Sequence, residues 1–307
     1  MELSVVIVCW NVKDYLQKCL ASVYRETAGV SFEIFVVDNA SKDGSVEMVR
    51  ELFPSVKVIA NKENLGFARA NNLALKQCAG EYVLFLNPDT EIKNKAVEKL
   101  LEFLKANPGA AVAAPKLIHE DGRVQLLCRN FPSPATDLGE SLFLDIAFPK
   151  SQFFNHCFMG EWKHDSTREV EQPAGACLLV RMESLKKTGF YDERFFLYYE
   201  DVDLCYRIKK AGGKIFLLHD VLVVHHGCKS SIQIENESFN WGLESRIKFF
   251  RKHYGKAGVF ILGSNLVIRT LLVYLVIGPL SLIIKRPRNI KVVRKIVGSL
   301  WRAYLKT

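Results

Sequence analysis

The fold is decided by residues 33–52, EIFVVDNASKDGSVEMVREL. Residues 33–37 form a short apolar run, which predicts a buried strand, and residues 44–52 have the apolar spacing of a helix. The polar residues between them, DNASKDGS, end the strand and begin the helix. The stretch therefore predicts a strand–loop–helix unit whose polar loop lies at the carboxyl end of the strand.

The same alternation runs through the first 115 of the 307 residues. Further strands are predicted at residues 4–9, 56–60, 82–86 and 110–114, and further helices at residues 13–24, 66–78 and 94–106. Strands that alternate with helices indicate an α/β fold with a mostly parallel central sheet and flanking helices. Such sheets bind ligands at the carboxyl ends of their strands. Neither GxGxxG nor a Walker sequence follows the first strand, which disfavours a dinucleotide or P-loop site.

Two of these strands end in carboxylates that have both a functional and a structural interpretation. Asp38 could accept a hydrogen bond from the imide N–H of a nucleobase, or the stretch around it could simply cap the next helix. Asp89 follows Asn87-Pro88, a turn that proline imposes, and could hold Mg²⁺ or Mn²⁺ against diphosphate oxygens. A turn in which Asp89 caps a helix is the alternative.

Two adjacent histidines, His225 and His226, follow an extended apolar run. In an extended segment only one of the two can face a cleft. That one could ligate the same metal as Asp89, because imidazole is also used for Mn²⁺. A structural role is the alternative.

Three carboxylates cluster in FLYYEDVDLCYR, residues 196–207. Apolar neighbours raise the pKa of a carboxyl group, which makes it a better general base. Asp203 and Arg207 are four residues apart on a predicted helix, so an ion pair is their simplest interpretation.

Taken in order, these motifs resemble the family 2 glycosyltransferases. The segments that carry the resemblance are VVIVCWN, VVDNASKDGS, NLGFARANN, FLNPDT, PAGACLLVR, GFYDERFFLYYEDVDLCYRIKKAGGKI and VVHHG. The chain is most similar to the rhamnosyltransferase-like and galactofuranosyltransferase-like members, over roughly residues 1–255. The resemblance implies a GT-A fold, with a nucleotide-sugar-binding half at about residues 1–115 and an acceptor-binding half at about 116–255. It also implies metal-assisted, inverting transfer from a nucleotide sugar.

The resemblance also implies roles for individual residues. Asp201 matches the catalytic base, with Glu200 as its rival, and Asp89 and His225 (rival His226) match the metal ligands. Asn87 stands where many members have the first acid of a DxD motif, which leaves one carboxylate at this site. Asp38 matches the acid that contacts uracil or thymine. The implied nucleotide-sugar-binding residues are Asn11, Asp38, Asn39, Ser41, Asp43, Asn64, Gly66, Arg69 and Asn87.

The charge of the chain is distributed unevenly. All 33 Asp and Glu lie in residues 1–245, whereas residues 246–307 hold 14 Lys and Arg and no acid. Such asymmetry indicates an anionic partner for the tail, either a membrane surface or nucleic acid.

Residues 256–307 are predicted to be a membrane-associating tail. Residues 258–284 are long and apolar enough to cross a bilayer. Arg269 near their middle would cost about 3 kcal/mol on insertion scales, and Gly278-Pro279 interrupts them, so two shorter interfacial pieces are favoured. A buried helix of a soluble core is the alternative. In residues 285–307 eight Lys or Arg face an apolar stripe, which indicates an amphipathic helix on the anionic, cytoplasmic side and disfavours a nucleic-acid-binding arm.

The sequence thus predicts an inverting glycosyltransferase at the cytoplasmic face of the cell membrane. The eight cysteines show no CxxC pair and no metal-finger spacing, and no secretory signal is visible. Both observations favour a reducing compartment. The predicted partners are a dTDP- or UDP-sugar, with rhamnose as first guess, Mg²⁺ or Mn²⁺, a lipid-linked or cell-surface glycan and membrane lipids, but no nucleic acid. The alternatives are a nucleotidyltransferase and a non-catalytic sugar- or nucleotide-binding membrane module.

Overall fold

A computed structural model describes residues 1–159, 161–227 and 229–277, together with Gly298, Trp301 and Tyr304. The chain divides into two compact units. The first contains residues 1–129 and 162–235, and the second contains residues 130–161 and the chain from Asn236 onward. The second unit therefore begins earlier than the predicted tail and includes an internal segment of the chain.

The first unit is built on one nine-stranded sheet. Its strands are β1 (Leu3–Cys9), β2 (Phe32–Asp38), β3 (Lys57–Ala60), β4 (Tyr82–Leu86), β5 (Thr90–Ile92), β6 (Ala110–Ile118), β7 (Arg168–Glu169), β8 (Cys177–Arg181) and β9 (Lys214–His225). Their order is β3-β2-β1-β4-β8-β6-β9-β5, and β7 pairs with β9. From β3 to β4 all pairs are parallel, as the alternation predicted. Beyond β4 the sheet is mixed, because β8 is antiparallel to both β4 and β6.

The first four helices follow the strands as the sequence indicated, whereas no helix was predicted at the fifth and sixth. They are α1 (Lys13–Glu26), α2 (Ser45–Leu52), α3 (Phe67–Leu75), α4 (Ala96–Ala106), α5 (Pro134–Ser141), α6 (Leu144–Ala147), α7 (Met182–Thr188), α8 (Glu200–Lys210) and α9 (Glu235–Leu272). The apolar residues of β1, β2 and β4 form the core with buried residues of α1 and α4. This core holds the loops at the carboxyl ends of the strands in fixed positions. The seven described cysteines are free thiols.

Strand β9 runs unbroken through two polar residues. The polar residues His219 and Asp220 predict a break, yet the strand continues through them. A register shift opposite Pro115 and Lys116 of β6 accommodates the extra residues. Proline cannot donate a ladder hydrogen bond and commonly lies at such irregularities.

The second unit contains α5, α6 and α9. Helix α9 kinks at Gly255, whose φ of 64° is not helical. The helical stretch Glu237–Leu275 is long and apolar enough to cross a membrane. The predicted interruption at Gly278-Pro279 and the predicted basic helix of residues 285–307 lie outside the described residues, apart from Gly298, Trp301 and Tyr304.

Candidate active site

The carboxyl ends of β2, β1 and β4 meet at one edge of the sheet, because these neighbouring strands are parallel. Asp38 is the last residue of β2 and is only 2% exposed. Its Oδ2 accepts the backbone N–H of Ser41 at 2.9 Å, while its Oδ1 is buried with no hydrogen-bond partner in the described part of the chain. Buried polar atoms are normally paired, so this oxygen is a candidate ligand-binding group.

Side-chain hydrogen bonds join the loop after β1 to the loop after β2, and they come from Asn11, Ser41 and Asp43. Ser41 Oγ accepts the backbone N–H of Asn11 at 2.9 Å, and Asn11 Oδ1 accepts that of Lys42 at 2.7 Å. Asp43 Oδ2 accepts the N–H of Lys13, and its Oδ1 accepts both the N–H and the hydroxyl of Ser45. Burial raises the pKa of Asp43, but these hydrogen bonds outweigh it and lower the pKa overall. The three side chains thus shape the loops at the helix starts.

Asn39, Asn64 and Gly66 lie together beside this edge. Asn39 Nδ2 donates to the Gly66 carbonyl at 3.2 Å, and Asn64 Oδ1 accepts the Gly66 N–H at 2.9 Å. A Cβ on Gly66 would lie 2.4 Å from the carbonyl oxygen of Phe196, and its φ is +79°. Only glycine fits here, so the loop before α3 lies directly against the segment that leads to the acidic cluster.

Arg69 is exposed on α3, and among the described residues it has no ion pair or hydrogen bond. Its guanidinium is available to an anionic ligand. Asn72, which sequence reasoning did not single out, is buried on the same helix. It donates to the Tyr191 carbonyl at 2.8 Å and accepts the Tyr191 N–H at 3.1 Å, which ties α3 to the same acidic segment.

Asp89 and His225 face each other in a buried position. Asp89 is 4% exposed and His225 is 6% exposed. His225 Nε2 lies 3.6 Å from Asp89 Oδ1 and has no hydrogen-bond partner within the described ranges. They meet because β5 pairs with β9 so that Thr90 stands opposite His225. Asn87 precedes this turn, and its backbone N–H donates to the Ala176 carbonyl.

Gln125 determines the tautomer of His225. Its Nε2 donates to the His225 carbonyl oxygen at 2.6 Å, and a carbonyl can only accept. Its Oε1 must therefore be the atom 2.8 Å from His225 Nδ1, so Nδ1 carries the proton. Burial lowers the pKa of His225, which favours the neutral ring. Nε2 then presents a lone pair towards Asp89, as in a metal-ligating histidine held by an outer partner.

This donor set fits a divalent cation. An orphaned imidazole nitrogen and a buried carboxylate converge on one point, and Mn²⁺ and Mg²⁺ accept such ligands when substrate oxygens complete their coordination. His226 lies elsewhere. Its Nε2 is 2.9 Å from Glu91 and its Nδ1 is 3.2 Å from Glu120, so it does not face Asp89.

Glu200 and Asp201 form the first turn of α8. Glu200 is 5% exposed, and its Oε2 is enclosed without a hydrogen bond to any described residue. Asp201 is partly exposed, and its Oδ2 accepts from Gln172 Nε2 at 3.3 Å. Gly175 packs against it, because a Cβ there would lie 2.6 Å from that oxygen.

Burial raises the pKa of both carboxyl groups, and that of Glu200 lies well above its ordinary value, because the neighbouring Asp201 charge adds to the effect of burial. Asp201 is the more accessible of the two, and a general base must be within reach of the acceptor hydroxyl.

Asp203 and Arg207 form the ion pair that their spacing predicted. Asp203 Oδ2 accepts from Arg207 Nε at 2.8 Å, and the Asp203 side chain is fully buried. The remaining guanidinium N–H groups donate to the carbonyls of Thr188, Gly189 and Phe190. The pair therefore fixes the segment before the acidic cluster.

Gln125 and Gln172 were missed by sequence reasoning. Each acts on a site residue far away in the chain, and neither lies in a recognisable pattern. Gln172 immediately precedes PAGACLLVR, one of the segments already singled out, and this position was the only available signal.

The architecture has clear counterparts among solved structures. A mannosyltransferase from Pyrobaculum calidifontis, solved with GDP-Man and Mn²⁺, superimposes with a TM-score of 0.60 at 17% identity, covering 99% of this chain and 86% of that one. TarS residues 1–349 from S. aureus, solved with UDP, gives a TM-score of 0.53 at 18% identity, covering 99% and 90%. At these identities the likeness concerns the fold, which is the GT-A fold that the sequence predicted.

Sequence relatives define the family. The family model "Glycosyl transferase family 2" matches residues 4–187, so the chain belongs to this family. An N-acetylglucosaminyl-diphospho-decaprenol L-rhamnosyltransferase of Mycobacterium tuberculosis is 30% identical over 240 residues, which cover 75% of this chain and 77% of the relative. Rhamnosyltransferase WbbL of Escherichia coli K12 is 24% identical over 263 residues, covering 81% and 92%. The chain is thus a rhamnosyltransferase-like, inverting glycosyltransferase, as predicted.

Proposed function

We propose that this glycosyltransferase moves a sugar, with rhamnose as first candidate, from a dTDP- or UDP-linked donor to a lipid-linked glycan. The observation that carries the proposal is the buried Asp89–His225 pair at the sheet edge where Asp38 also lies. The names of two relatives, both rhamnosyltransferases, support the sugar, and one of them names a diphospho-decaprenol acceptor. Transfer to such a lipid-linked acceptor leads to a cell-surface glycan.

The donor nucleotide is bound at the ends of β1 and β2. Asp38 Oδ1, buried and without a partner among the described residues, accepts the imide N–H of uracil or thymine. Asn11, Ser41 and Asp43 hold the loop that presents it. Arg69, which is exposed on α3, offers its guanidinium to the diphosphate.

Asp89 and His225 hold a divalent metal, Mg²⁺ or Mn²⁺. When bound, this ion neutralises the negative charge that develops on the departing diphosphate. His226 is engaged with Glu91 and Glu120 and is not part of this site. Asn87 contributes no carboxylate here, so the chain itself supplies one carboxylate and one imidazole.

Asp201 is the general base. The acceptor hydroxyl oxygen forms the new bond to the anomeric carbon as the bond from that carbon to the diphosphate oxygen breaks, which inverts the configuration. The hydroxyl proton passes to the Asp201 carboxylate, and the nucleoside diphosphate leaves with the bonding electrons. Burial raises the pKa of the neighbouring Glu200 well above its ordinary value, which disfavours a second negative charge beside Asp201. Gln172 orients the Asp201 carboxylate through Oδ2.

The acceptor is met at the cytoplasmic face of the membrane. The apolar stretch Glu237–Leu275 and the acid-free, basic composition of residues 246–307 support this placement. A lipid-linked glycan is confined to the bilayer, so an enzyme bound to the same membrane reaches its acceptor by lateral diffusion.

A nucleotidyltransferase is disfavoured, because its triphosphate site usually needs a Gly-rich basic loop after the first strand, and residues 10–13 (WNVK) offer none. A non-catalytic sugar- or nucleotide-binding module would need no general base, yet the partly exposed Asp201 is held in position by Gln172 and Gly175.

A donor screen tests the proposal. The full chain in detergent, with Mg²⁺ or Mn²⁺, is supplied with a panel of nucleotide sugars and lipid extract, and nucleoside diphosphate release is measured. Release from one donor that Asp89→Ala abolishes, and that Asp121→Ala on an exposed loop preserves, is the expected result. Binding of a nucleoside diphosphate without release from any donor would favour the module.

A further inference from the structure

The second unit exposes its apolar side chains to an unusual degree. Of the 18 exposed large hydrophobic residues among those described, 13 lie in residues 130–161 or from residue 236 onward. Six of them lie in the internal segment: Leu138, Leu142, Ile146, Phe148, Phe153 and Phe154. Phe153 is 83% exposed and Ile146 is 70% exposed. Surfaces of this kind mark contacts with a partner or a membrane.

Charged groups of the same unit point inward. Asp137 on α5 is 4% exposed and binds Arg246 and Asn265 of α9. Arg246 also binds Glu140 at 2.9 Å. These contacts give the unit a polar interior.

Arg269 of α9 also points inward. The guanidinium of this central arginine lies over the Phe143 ring at 5.0 Å, instead of facing outward among the exposed apolar residues of α9. The sequence-based argument against a continuous apolar helix rested on the cost of a central arginine in a lone spanning helix. The structure corrects that premise, since its partner comes from residues 130–161.

From this inverted arrangement we infer that residues 138–154 are a second membrane-contacting segment, inserted in the bilayer together with α9. In water, α5 would turn Asp137 and Glu140 outward and Leu138 and Leu142 inward, whereas the structure has the reverse. Ionisable residues at membrane depth face the interior of a bundle and pair with one another, which is what Asp137 and Arg246 do.

Two further observations select a lipid surface as the occupant. The same unit carries a helix of membrane-spanning length, of whose most apolar stretch only 33% is buried. Residues 246–307 carry 14 basic residues and no acid, which complements anionic lipid headgroups but gives like-charge repulsion between two copies of the chain. The inference rests on the membrane placement proposed above and adds an internal segment to it.

The first test places a tryptophan, as a fluorophore, within residues 138–154. Phe153→Trp in the full chain is bound to vesicles of phosphatidylcholine and phosphatidylglycerol, with and without bromine on the acyl chains. We expect bromine to quench the added tryptophan beyond the quenching of the parent's own four. Leu52→Trp, at a 50% exposed site of α2 in the first unit, should gain no quenching.

A charge variant gives a second readout. Phe148→Glu combined with Phe153→Glu should lower vesicle binding in flotation at least about tenfold, whereas Leu52→Glu should leave it unchanged. Donor hydrolysis in detergent, if the screen has identified a donor, should be retained by both variants. Vesicle binding without quenching at position 153 and without loss in the double variant would overturn the inference while leaving the membrane placement intact. Failure of the parent to bind vesicles would overturn both.

Discussion

His225 Nε2 faces Asp89 Oδ1 at 3.6 Å, with no hydrogen bond to any described residue. Gln125 sets the tautomer in which Nε2 carries no proton, because the His225 carbonyl holds the Gln125 amide in one orientation. This leaves a lone pair on Nε2, which the proposed metal site requires of His225. Its metal affinity should depend on a residue that never touches the metal.

Replacing Gln125 should weaken metal binding. Gln125→Leu removes the acceptor for Nδ1–H, so the proton is free to move to Nε2, and Mn²⁺ affinity should fall about 10- to 100-fold, as for other outer-shell partners. Electron paramagnetic resonance of free Mn²⁺ measures this without catalysis. Gln125→Glu keeps an acceptor for Nδ1–H and should retain more affinity than the leucine variant. Equal affinity in all three proteins would contradict the assigned role.

Stability should fall as pH rises because of Glu200. Burial raises its folded-state pKa well above the ordinary value, so the native protein keeps a proton that the unfolded chain releases. Its contribution to stability is present below the unfolded pKa of about 4.3 and is lost as pH rises through the folded pKa, with a slope of at most about 1.4 kcal/mol per pH unit. Glu200→Gln mimics the protonated form and should flatten this dependence in urea denaturation between about pH 5 and pH 8. An unchanged slope would show that Glu200 is ionised in the native protein.

The buried ion pair of α8 should be costly to break. Arg207→Met leaves the fully buried Asp203 carboxylate without its arginine and should lower the free energy of unfolding by about 3–5 kcal/mol. Arg123→Met removes an exposed ion pair with Asp121 and should cost much less, because solvent screens exposed ion pairs. Chemical denaturation of both variants measures the difference. Similar small losses would mean that Asp203 is accommodated without Arg207.

Gly66 should tolerate no side chain. Gly66→Ala puts a Cβ 2.4 Å from the Phe196 carbonyl oxygen at a φ of +79°, which combines a clash with backbone strain. Gly122→Ala has a similar φ of +83° but open space, so it reports the strain alone, about 1–3 kcal/mol. Gly66→Ala should lose more stability than this control and should also weaken donor binding. Equal losses in denaturation would remove the close contact from the account.

The first half of the fold was readable because its strands and helices are long and alternate regularly. The carboxyl-edge position of Asp38 and Asp89 follows from that alternation alone. Strand β5, with three residues, is too short to show a period, yet its pairing with β9 is what brings Asp89 to His225. The choice between His225 and His226 therefore needed the register of two strands more than 130 residues apart.

Other features depend on contacts between distant parts of the chain. Gln125 and Gln172 take their roles from hydrogen bonds to His225 and Asp201, which no local pattern encodes. The inward orientation of Asp137 likewise depends on Arg246, more than 100 residues later. The sequence did not predict α5, since its hydrophobic residues Leu138 and Leu142 do not pack inward.

The most direct test of the central claim is to compare donor binding and sugar transfer in Asp201→Asn. Asparagine is nearly isosteric and cannot accept the acceptor's proton, so transfer should fall about 10²- to 10⁴-fold while the donor Kd changes by less than about twofold. Donor binding is measured by calorimetry in the presence of Mn²⁺, and transfer by nucleoside diphosphate release with acceptor. Loss of transfer with intact binding is the predicted result. Equal loss of binding and transfer, or full transfer in the variant, would remove Asp201 from the role of base.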